Sequence, residues 1–160
     1  MAKRAAQYKI RTSTSADVKL ILAQRRAMFE DVGFDNKRQL STMLRAYARW
    51  LKPKLRSGEY RGWFAVTPDG EAVAGAGLWI MEWPPVPSDH SSRRGYIANV
   101  YTHPSHRRRG LARRLMKDAL ACCRKHGIKT VVLHASDQGM PLYETLGFER
   151  TKEMRKRFKR

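Results

Sequence analysis

The stretch His103–Lys125, HPSHRRRGLARRLMKDALACCRK, predicts a basic loop that continues directly into an amphipathic helix. Apolar side chains recur in it at helical spacing, while lysine, arginine and aspartate fill the remaining positions of the helical wheel. The apolar positions are Leu111, Leu115, Ala119 and the adjacent pair Cys122 and Cys123. Gly127 follows them, and a glycine at that place is typical of a helix C-terminus.

The segment before the loop, Tyr96–Thr102 (YIANVYT), predicts a buried strand that Pro104 ends. The unit is therefore a strand, a tight basic loop and a helix. The first turn of a helix leaves backbone N–H groups unpaired and carries a partial positive charge. Gly110 lets a ligand approach the backbone closely, and arginines crowd the same place. These features favour an anion site, for a phosphate or pyrophosphate.

Two simpler interpretations of the loop stay open at this point. An arginine-rich helix start in a very basic chain is also typical of a solvated surface, and the pattern Arg-x-x-Gly-x-Ala arises by chance in such a sequence. The loop lacks the Gly-Lys-Ser/Thr ending of a Walker A motif and the three glycines of a dinucleotide fingerprint, which disfavours those two nucleotide sites.

Composition is typical of one globular domain, which we expect to span residues 1–160. The chain has 160 residues, 42% of them hydrophobic, which is enough for one buried core and short for two. No apolar run could span a membrane, and the N-terminus lacks the apolar core of a signal peptide. Cys122 and Cys123 are neighbours on one helix and point apart, so we expect a reduced, cytoplasmic chain without a metal site.

The net charge of +19, from 33 Lys+Arg against 14 Asp+Glu, predicts a positive field that attracts polyanions. Nucleic acid and small polyphosphorylated ligands both fit that field. The basic clusters contain few aromatic residues that could stack on bases, so a nucleic-acid partner is open but not favoured.

Other patterns predict one α+β domain with a central sheet. The turn Thr67–Gly70 between two apolar runs predicts a hairpin, and Gly75 and Gly77 predict a bulge or a close backbone neighbour. Thr14 or Ser15 is expected to cap a first helix that Gly33 ends. The other expected elements are strands at Tyr8–Thr12, Trp63–Val66, Ala72–Met81 and Val131–Ala135, a strand from Phe148 onward, and helices at about Lys37–Lys52 (closed by Pro53 and Gly58) and Met140–Leu146.

Three segments, taken in order, closely resemble the GCN5-related N-acetyltransferases (the GNAT family). They are Asn99-Val100-Tyr101-Thr102-His103-Pro104, Arg107-x-x-Gly110-x-Ala112, and Leu142-Tyr143-Glu144-Thr145-Leu146-Gly147-Phe148. In that family a Gln/Arg-x-x-Gly-x-Gly/Ala loop after the fourth strand grips the pyrophosphate of coenzyme A. A later segment similar to Leu-Tyr-Glu-Lys-Leu-Gly-Phe carries a tyrosine beside the thioester sulfur. The order of elements also matches, over nearly the whole chain.

The resemblance implies an α/β/α layered α+β fold of the acyl-CoA N-acyltransferase type, with a mixed, mostly antiparallel central sheet and flanking helices. It implies an acetyl-CoA-dependent N-acetyltransferase, in which a primary amine attacks the thioester directly in a ternary complex. A small-molecule acceptor is favoured over a peptide or protein amine. By analogy with relatives, a homodimer is a further expectation. The alternative is a non-catalytic module on the same fold that binds coenzyme A or, through its basic surface, RNA.

The resemblance also implies which residues hold coenzyme A. Main chain of Val100, Tyr101 and Thr102 would pair with the pantetheine arm as an added strand does. Backbone N–H groups and guanidinium groups of the loop would hold the pyrophosphate, and Ser136 and Tyr143 would complete the site. The loop residues are Arg107, Arg108, Arg109, Gly110, Leu111, Ala112 and Arg113. Tyr143 is implied to be the general acid for the departing thiolate; a tyrosine packed in the core is the competing interpretation.

Two departures from the family pattern matter. Ser136 stands where many relatives carry asparagine, and Asn99 stands where a strand-four glutamate often acts as base. The base is therefore unassigned. Glu82 is our first candidate, followed by Glu30, Asp31 and His134, although each is more often an ordinary surface or core residue. The expected walls of the acceptor pocket, for which core packing competes in the same way, are Met28, Phe29, Trp79, Trp83, Asn99 and Tyr101.

Overall fold

Residues 7–159 are described by a computed structural model, and they build a five-stranded sheet whose strand order follows the chain. The strands are β1 (Lys9–Thr12), β2 (Tyr60–Val66), β3 (Ala72–Glu82), β4 (Arg93–Thr102) and β5 (Val131–Leu133). The helices are α1 (Val18–Asp31), α2 (Lys37–Ser57), α3 (Leu111–Lys125) and α4 (Met140–Thr145). Strands β1 to β4 pair antiparallel and β5 joins β4 in parallel, which confirms the predicted mixed, mostly antiparallel sheet.

Apolar side chains bury both faces of the sheet under helices. On one face Leu78 and Ile97 pack with the apolar stripe of α3, which confirms the periodicity read from the sequence. On the other face Ile21 of α1 and Leu51 of α2 pack against β2. Each fully buried leucine or isoleucine contributes about 1.5–3 kcal/mol relative to an exposed one, so the two layers hold the sheet from both sides.

The entry into α1 is fixed by a capping box. The Thr14 hydroxyl accepts from the N–H of Ala16, and the Asp17 carboxylate accepts from the N–H of Thr14 at 2.7 Å. Arg11 of β1 donates twice to the same carboxylate, at 2.9 and 2.8 Å. The hydrogen bond from Arg11 is the main cause that lowers the pKa of Asp17. Thr14 is therefore the cap, as one of the two sequence expectations has it.

Helix α2 does not stop at Pro53, so the predicted end at Lys52 is wrong. The helix continues to Ser57, and Gly58 ends it with a φ of +80°. Pro53 removes one hydrogen bond to the carbonyl of Arg49, but both residues are exposed and water can reach that carbonyl. Leu51 and Leu55, on either side of the proline, bury against β2 and keep the last turns helical.

The strand predicted from Phe148 onward does not form. Phe148 packs its ring against Tyr143, with centroids 6.0 Å apart, but residues 149–153 are all polar and exposed. Met154 and Phe158 are 95% and 83% exposed. A strand needs one apolar face to bury, and this segment offers none. In the described part of the chain, no helix is both long and apolar enough to cross a bilayer.

Candidate active site

The site begins at a bulge in the middle of β4. Gly77 pairs with Ala98 while Gly75 pairs with Tyr101, so β4 has one residue more than β3 over this interval. Asn99 takes up the extra length with a left-handed φ of +56°. The facing strand needs its glycines, because a β-carbon at Gly75 or Gly77 would overlap the side chains packed there. Of the two alternatives that the sequence offered for these glycines, the bulge is confirmed, while the close neighbours are side chains, of Gln24 and Tyr60, and not backbone.

Beyond the bulge, β4 and β5 separate. Their pairing ends at Ile97 and Leu133, and in the following stretch Val100–Thr102 the last two residues pair with β3 on the other edge, with no strand of residues 7–159 on the outer one. The outer edge of that stretch is therefore not covered by β5. An extended ligand can add to such an edge as an extra strand, with its polar groups paired to the main chain.

Asn99 holds the bulge through a buried polar network. Its carbonyl oxygen accepts from Nη1 of Arg25 at 2.8 Å, and its amide nitrogen donates to the hydroxyls of Tyr47 and Tyr60, each at 2.8 Å. Burial raises the pKa of both tyrosines, so they stay neutral. Asn99 is only 6% exposed and has a structural role in the bulge, while the expectation that it lines the acceptor pocket stays a prediction.

The loop between β4 and α3 presents a run of free amides. Arg108 and Gly110 both have left-handed backbone, with φ of +60° and +76°, and no side chain caps α3. Among residues 7–159, no acceptor pairs with the amides of Arg108–Arg113. Unpaired N–H groups at a helix start, with the helix dipole behind them, form a concave site for an anion.

Two arginines of the loop bond to neighbouring elements and hold the loop in place. Arg107 donates from Nε to the carbonyl of Thr102 at 3.0 Å and pairs with the carboxylate of Asp31 on α1. Arg109 donates to the hydroxyl of Tyr8 at 2.7 Å. These bonds fix the loop to β4, to α1 and to the segment before β1, which makes the loop rigid before any ligand arrives.

The other two arginines differ from each other. Arg113 donates to the hydroxyl of Thr145 at 2.7 Å and so joins α3 to α4. Arg108 is exposed, and within the described residues its side chain makes no hydrogen bond. Of the guanidinium groups predicted to hold pyrophosphate, the one at Arg108 is thus without a hydrogen-bond partner among the described residues, two positions before Gly110.

Tyr143 lies on α4 with a ring that is 8% exposed. Its hydroxyl has no hydrogen-bond partner in the described chain, and burial raises its pKa, so the phenol keeps its proton. Gly139 is needed beside it, because a β-carbon there would lie 2.7 Å from the tyrosine ring. Ser136, one turn earlier, is engaged locally, since its hydroxyl accepts from the N–H of Gly139 at 3.2 Å.

Comparison with known proteins decides the family. The model of the acetyltransferase (GNAT) family matches residues 23–148, which include the bulge, the loop, α3 and Tyr143. This chain belongs to the GNAT family. Membership confirms the fold and the acyltransferase class that the three motifs predicted.

Solved structures of this GNAT fold are close in shape. A GCN5-related N-acetyltransferase from Ralstonia eutropha is 40% identical, with a TM-score of 0.89 over 94% of this chain and 98% of that one. A predicted acetyltransferase with acetyl-CoA from Clostridium acetobutylicum is 25% identical, with a TM-score of 0.85 over 94% and 96% of the two chains. A glucosamine 6-phosphate N-acetyltransferase from Trypanosoma brucei brucei is 33% identical over 93 residues. That match spans 58% of this chain and 61% of the trypanosomal protein.

On the α1/α2 face of this acetyltransferase, an aromatic wall borders the separation of β4 and β5. Trp79 lies between Trp50 and Tyr96, with ring centroids 5.1 and 6.3 Å away, and Tyr47 lies 5.2 Å from Trp50. The indole Nε1 of Trp79 is buried and has no partner among the described residues. Met28 and Phe29 are half-buried on α1, where Phe29 lies under the guanidinium of Arg25.

Glu82 and Trp83 lie at the far end of β3, away from the bulge at Asn99. Glu82 pairs with Arg93 at the opposite end of β4, and a rise of about 3.3 Å per residue puts that pair about 20 Å along the strand from Asn99. Trp83 is 40% exposed and stacks on Arg94 at 4.1 Å. Both residues line one cavity together with Trp79, and the expectations that Glu82 is the base and Trp83 a pocket wall stay predictions.

Of the other base candidates, His134 lies at the point where β4 and β5 separate. Glu30 is exposed beside Arg26, and Asp31 is paired with Arg107 at the loop end of the site. His134 follows Leu133, the last residue paired with β4. Sequence reasoning ranked it behind Glu82 and placed it inside the predicted strand Val131–Ala135, whereas β5 ends at Leu133.

Proposed function

We propose that this chain transfers the acetyl group of acetyl-CoA to the primary amine of a small molecule, by direct attack within a ternary complex. The observation that carries the proposal is the run of unpaired amides at Arg108–Arg113, which lies next to the uncovered strand edge Val100–Thr102. A diphosphate fits the first feature and an extended amide-bearing arm fits the second. Coenzyme A joins both groups in one molecule, and its acetyl form supplies an activated thioester.

Some of these residues would bind coenzyme A, and Tyr143 would transfer a proton. Amides of Arg108–Ala112, with the guanidinium of Arg108, would hold the diphosphate, and main chain of Val100–Thr102 would hold the arm. Tyr143 would protonate the departing thiolate: its buried phenol stays neutral and its hydroxyl is unpaired within the described chain, so the proton is available.

The cysteines support direct attack over a covalent intermediate. Cys123 is buried in the core against β3 and β4, and burial raises the pKa of its thiol to about 11. Cys122 lies one position along on α3 and is half-buried. A thiol nucleophile needs a lowered pKa and access to the substrate, and the packing of α3 favours neither for Cys123.

Charge and buried donors favour an acceptor amine that also carries an anionic group. The net charge is +19, and two buried N–H donors near the aromatic wall, Trp79 Nε1 and Arg25 Nε, have no partner among the described residues. Oxygen atoms of a phosphate or carboxylate would satisfy such donors. The trypanosomal relative is a glucosamine 6-phosphate N-acetyltransferase, and we propose phosphorylated amines as the first class to test.

Calorimetry with acetyl-CoA, followed by thiol release with matched amines, tests the proposal. We expect micromolar binding, and faster release with glucosamine 6-phosphate than with glucosamine, spermidine or a peptide amine. Failure to bind acetyl-CoA would remove the enzyme proposal. Binding without release for any amine, together with salt-sensitive retention on RNA, would favour the non-catalytic alternative.

A further inference from the structure

We infer that His134, acting through the hydroxyl of Tyr96, receives the proton that the acceptor amine loses. The inference deepens the proposed function and rests on it. It concerns a cluster at the end of β5 that contains Tyr96, His134, Glu153 and Arg155.

His134 lies where the pairing of β4 and β5 ends. Leu133 and Ile97 form the last pair of β5 and β4, and His134 is the next residue. Asn99, two residues past Ile97, is about 7 Å along β4 from that pair. Val100–Thr102, the proposed binding edge, begins immediately afterwards. The imidazole therefore stands at the narrow end of the separation between the strands, where an arm bound along β4 would end.

Tyr96 connects the imidazole to the aromatic wall. Its hydroxyl lies 2.5 Å from Nδ1 of His134, and the two rings are 5.5 Å apart. On its other side it meets Trp79 edge-on, at 6.3 Å. Burial raises the pKa of Tyr96, so the phenol does not act as a base by itself. A neutral phenol bonded to an imidazole can instead accept one proton while it passes its own on.

Two opposite charges face the other nitrogen of the ring. Nε2 of His134 lies 3.4 Å from Oε1 of Glu153 and 2.9 Å from Nη2 of Arg155. The hydrogen bond with His134, and then the one with Arg155, lower the pKa of Glu153, so it is a carboxylate. A carboxylate stabilises an imidazolium, whereas a guanidinium opposes it and, because it can only donate, favours the neutral tautomer with hydrogen on Nδ1. The proton transfer uses the other tautomer, in which Nδ1 is free and the hydrogen on Nε2 is directed at Glu153. The titratable and charged groups around the pair are Tyr96 of β4, Arg25 of α1, Tyr47 of α2, and Glu153 and Arg155 of the last segment.

Three protein groups move protons during acetyl transfer: Tyr96, His134 and Tyr143. The amine attacks in its neutral form, the new C–N bond forms and the C–S bond breaks. The nitrogen gives its surplus proton to the Tyr96 oxygen while the Tyr96 proton moves to Nδ1 of His134. The thiolate takes the proton of Tyr143. His134 returns its proton to water, which its 52% exposed side chain can reach, and Tyr143 regains one from water.

Substitutions of the two relay residues and of the two charged residues beside His134 test the inference. His134→Gln and Tyr96→Phe should each lower kcat by about 100-fold at pH 7, the double variant should lose no more than either, and the KM for acetyl-CoA should not change. Glu153→Gln should lower kcat and Arg155→Gln should not. His90→Gln, in the exposed loop after β3, is the matched control and should behave as wild type.

Calorimetry provides a readout without turnover: His134→Gln and Tyr96→Phe should bind acetyl-CoA as tightly as the wild-type protein, because neither side chain is proposed to hold the cofactor. Wild-type kcat in His134→Gln, or a loss of kcat that only follows a loss of acetyl-CoA binding, would overturn the inference alone. Absence of thiol release by the wild-type protein with every amine would instead remove the proposed function, and the inference with it.

Discussion

Nη1 of Arg25 on α1 lies 2.8 Å from Oδ1 of Asn99, the residue whose left-handed backbone marks the bulge of β4. The amide nitrogen of the same asparagine donates to Tyr47 of α2 and Tyr60 of β2. One side chain therefore ties two helices and strand β2 to the point where β4 and β5 begin to separate. The geometry of the site depends on a buried hydrogen-bond network on the opposite side from α3.

We predict that Asn99→Ala destabilises the protein strongly. Alanine is strained by about 1–2 kcal/mol in a left-handed conformation, and the buried partners left without a bond cost about 1–3 kcal/mol more. The free energy of unfolding, measured with urea, should fall by the sum of these terms. Asn99→Gly is the control, because it relieves the backbone and should recover only the first part. Equal stability of the alanine and glycine variants would contradict the assigned backbone strain.

Tyr143→Phe should separate catalysis from folding. The hydroxyl has no hydrogen-bond partner in the described chain while the ring packs on Phe148, so the urea midpoint should stay at the wild-type value. Loss of a general acid should lower kcat by about 100-fold or more, with the affinity for acetyl-CoA unchanged. Steady-state kinetics and calorimetry on the same preparation check both parts. An unchanged kcat would remove Tyr143 from its proposed role.

The arginines of the loop should divide into binding and structural residues. Arg108→Gln should weaken coenzyme A about tenfold, more at low salt, without a change in stability, because its side chain is exposed and unbonded in the described chain. Arg109→Gln should lower the thermal midpoint, since Arg109 holds Tyr8. Arg124→Gln, exposed in the last turn of the same helix, is the control for net charge. Equal affinities for the variants at 108 and 124 would contradict the assignment.

Asp17 should make stability depend on acid pH. Hydrogen bonds, above all from Arg11, lower its pKa, so the folded state favours the carboxylate. The stabilisation is complete above the unfolded pKa of aspartate and is lost as pH falls through the lower folded value. At pH 7, Asp17→Asn should therefore cost about 1–2 kcal/mol, and the two proteins should converge in strong acid. Urea titrations at both pH values measure this, with Asp69→Asn in the exposed hairpin turn as control.

Local patterns in the sequence predicted the parts of the fold that depend on neighbours along the chain. The apolar stripe of α3, the hairpin turn at Thr67–Gly70 and the strand before the loop each have a short-range signal, and all three are confirmed. Pro53 and the segment after Phe148 were mispredicted because burial decided them. Leu55 keeps α2 helical past a proline, and polar residues leave the last segment without a face to bury.

The candidate site needed long-range information that no local pattern holds. The bonds of Asn99 to Arg25 and Tyr47 join elements far apart in the chain, so the sequence, which placed Asn99 at the position of the strand-four glutamate, could not predict them. Glu82 was chosen for its chemistry, and only the strand register shows that it pairs with Arg93, about 20 Å along β4 from Asn99. His134 was ranked low because its contact with Glu153 forms only when the last segment folds back.

The central claim, a diphosphate cradle at the start of α3, is tested most directly by amide NMR. We predict that coenzyme A shifts the backbone N–H resonances of Arg108–Arg113 downfield, as amides that gain an acceptor do, while pantetheine, which lacks the diphosphate, leaves them in place. The amides of the last turn of α3 should not move with either ligand. Coenzyme A that binds without disturbing Arg108–Arg113 would contradict the account.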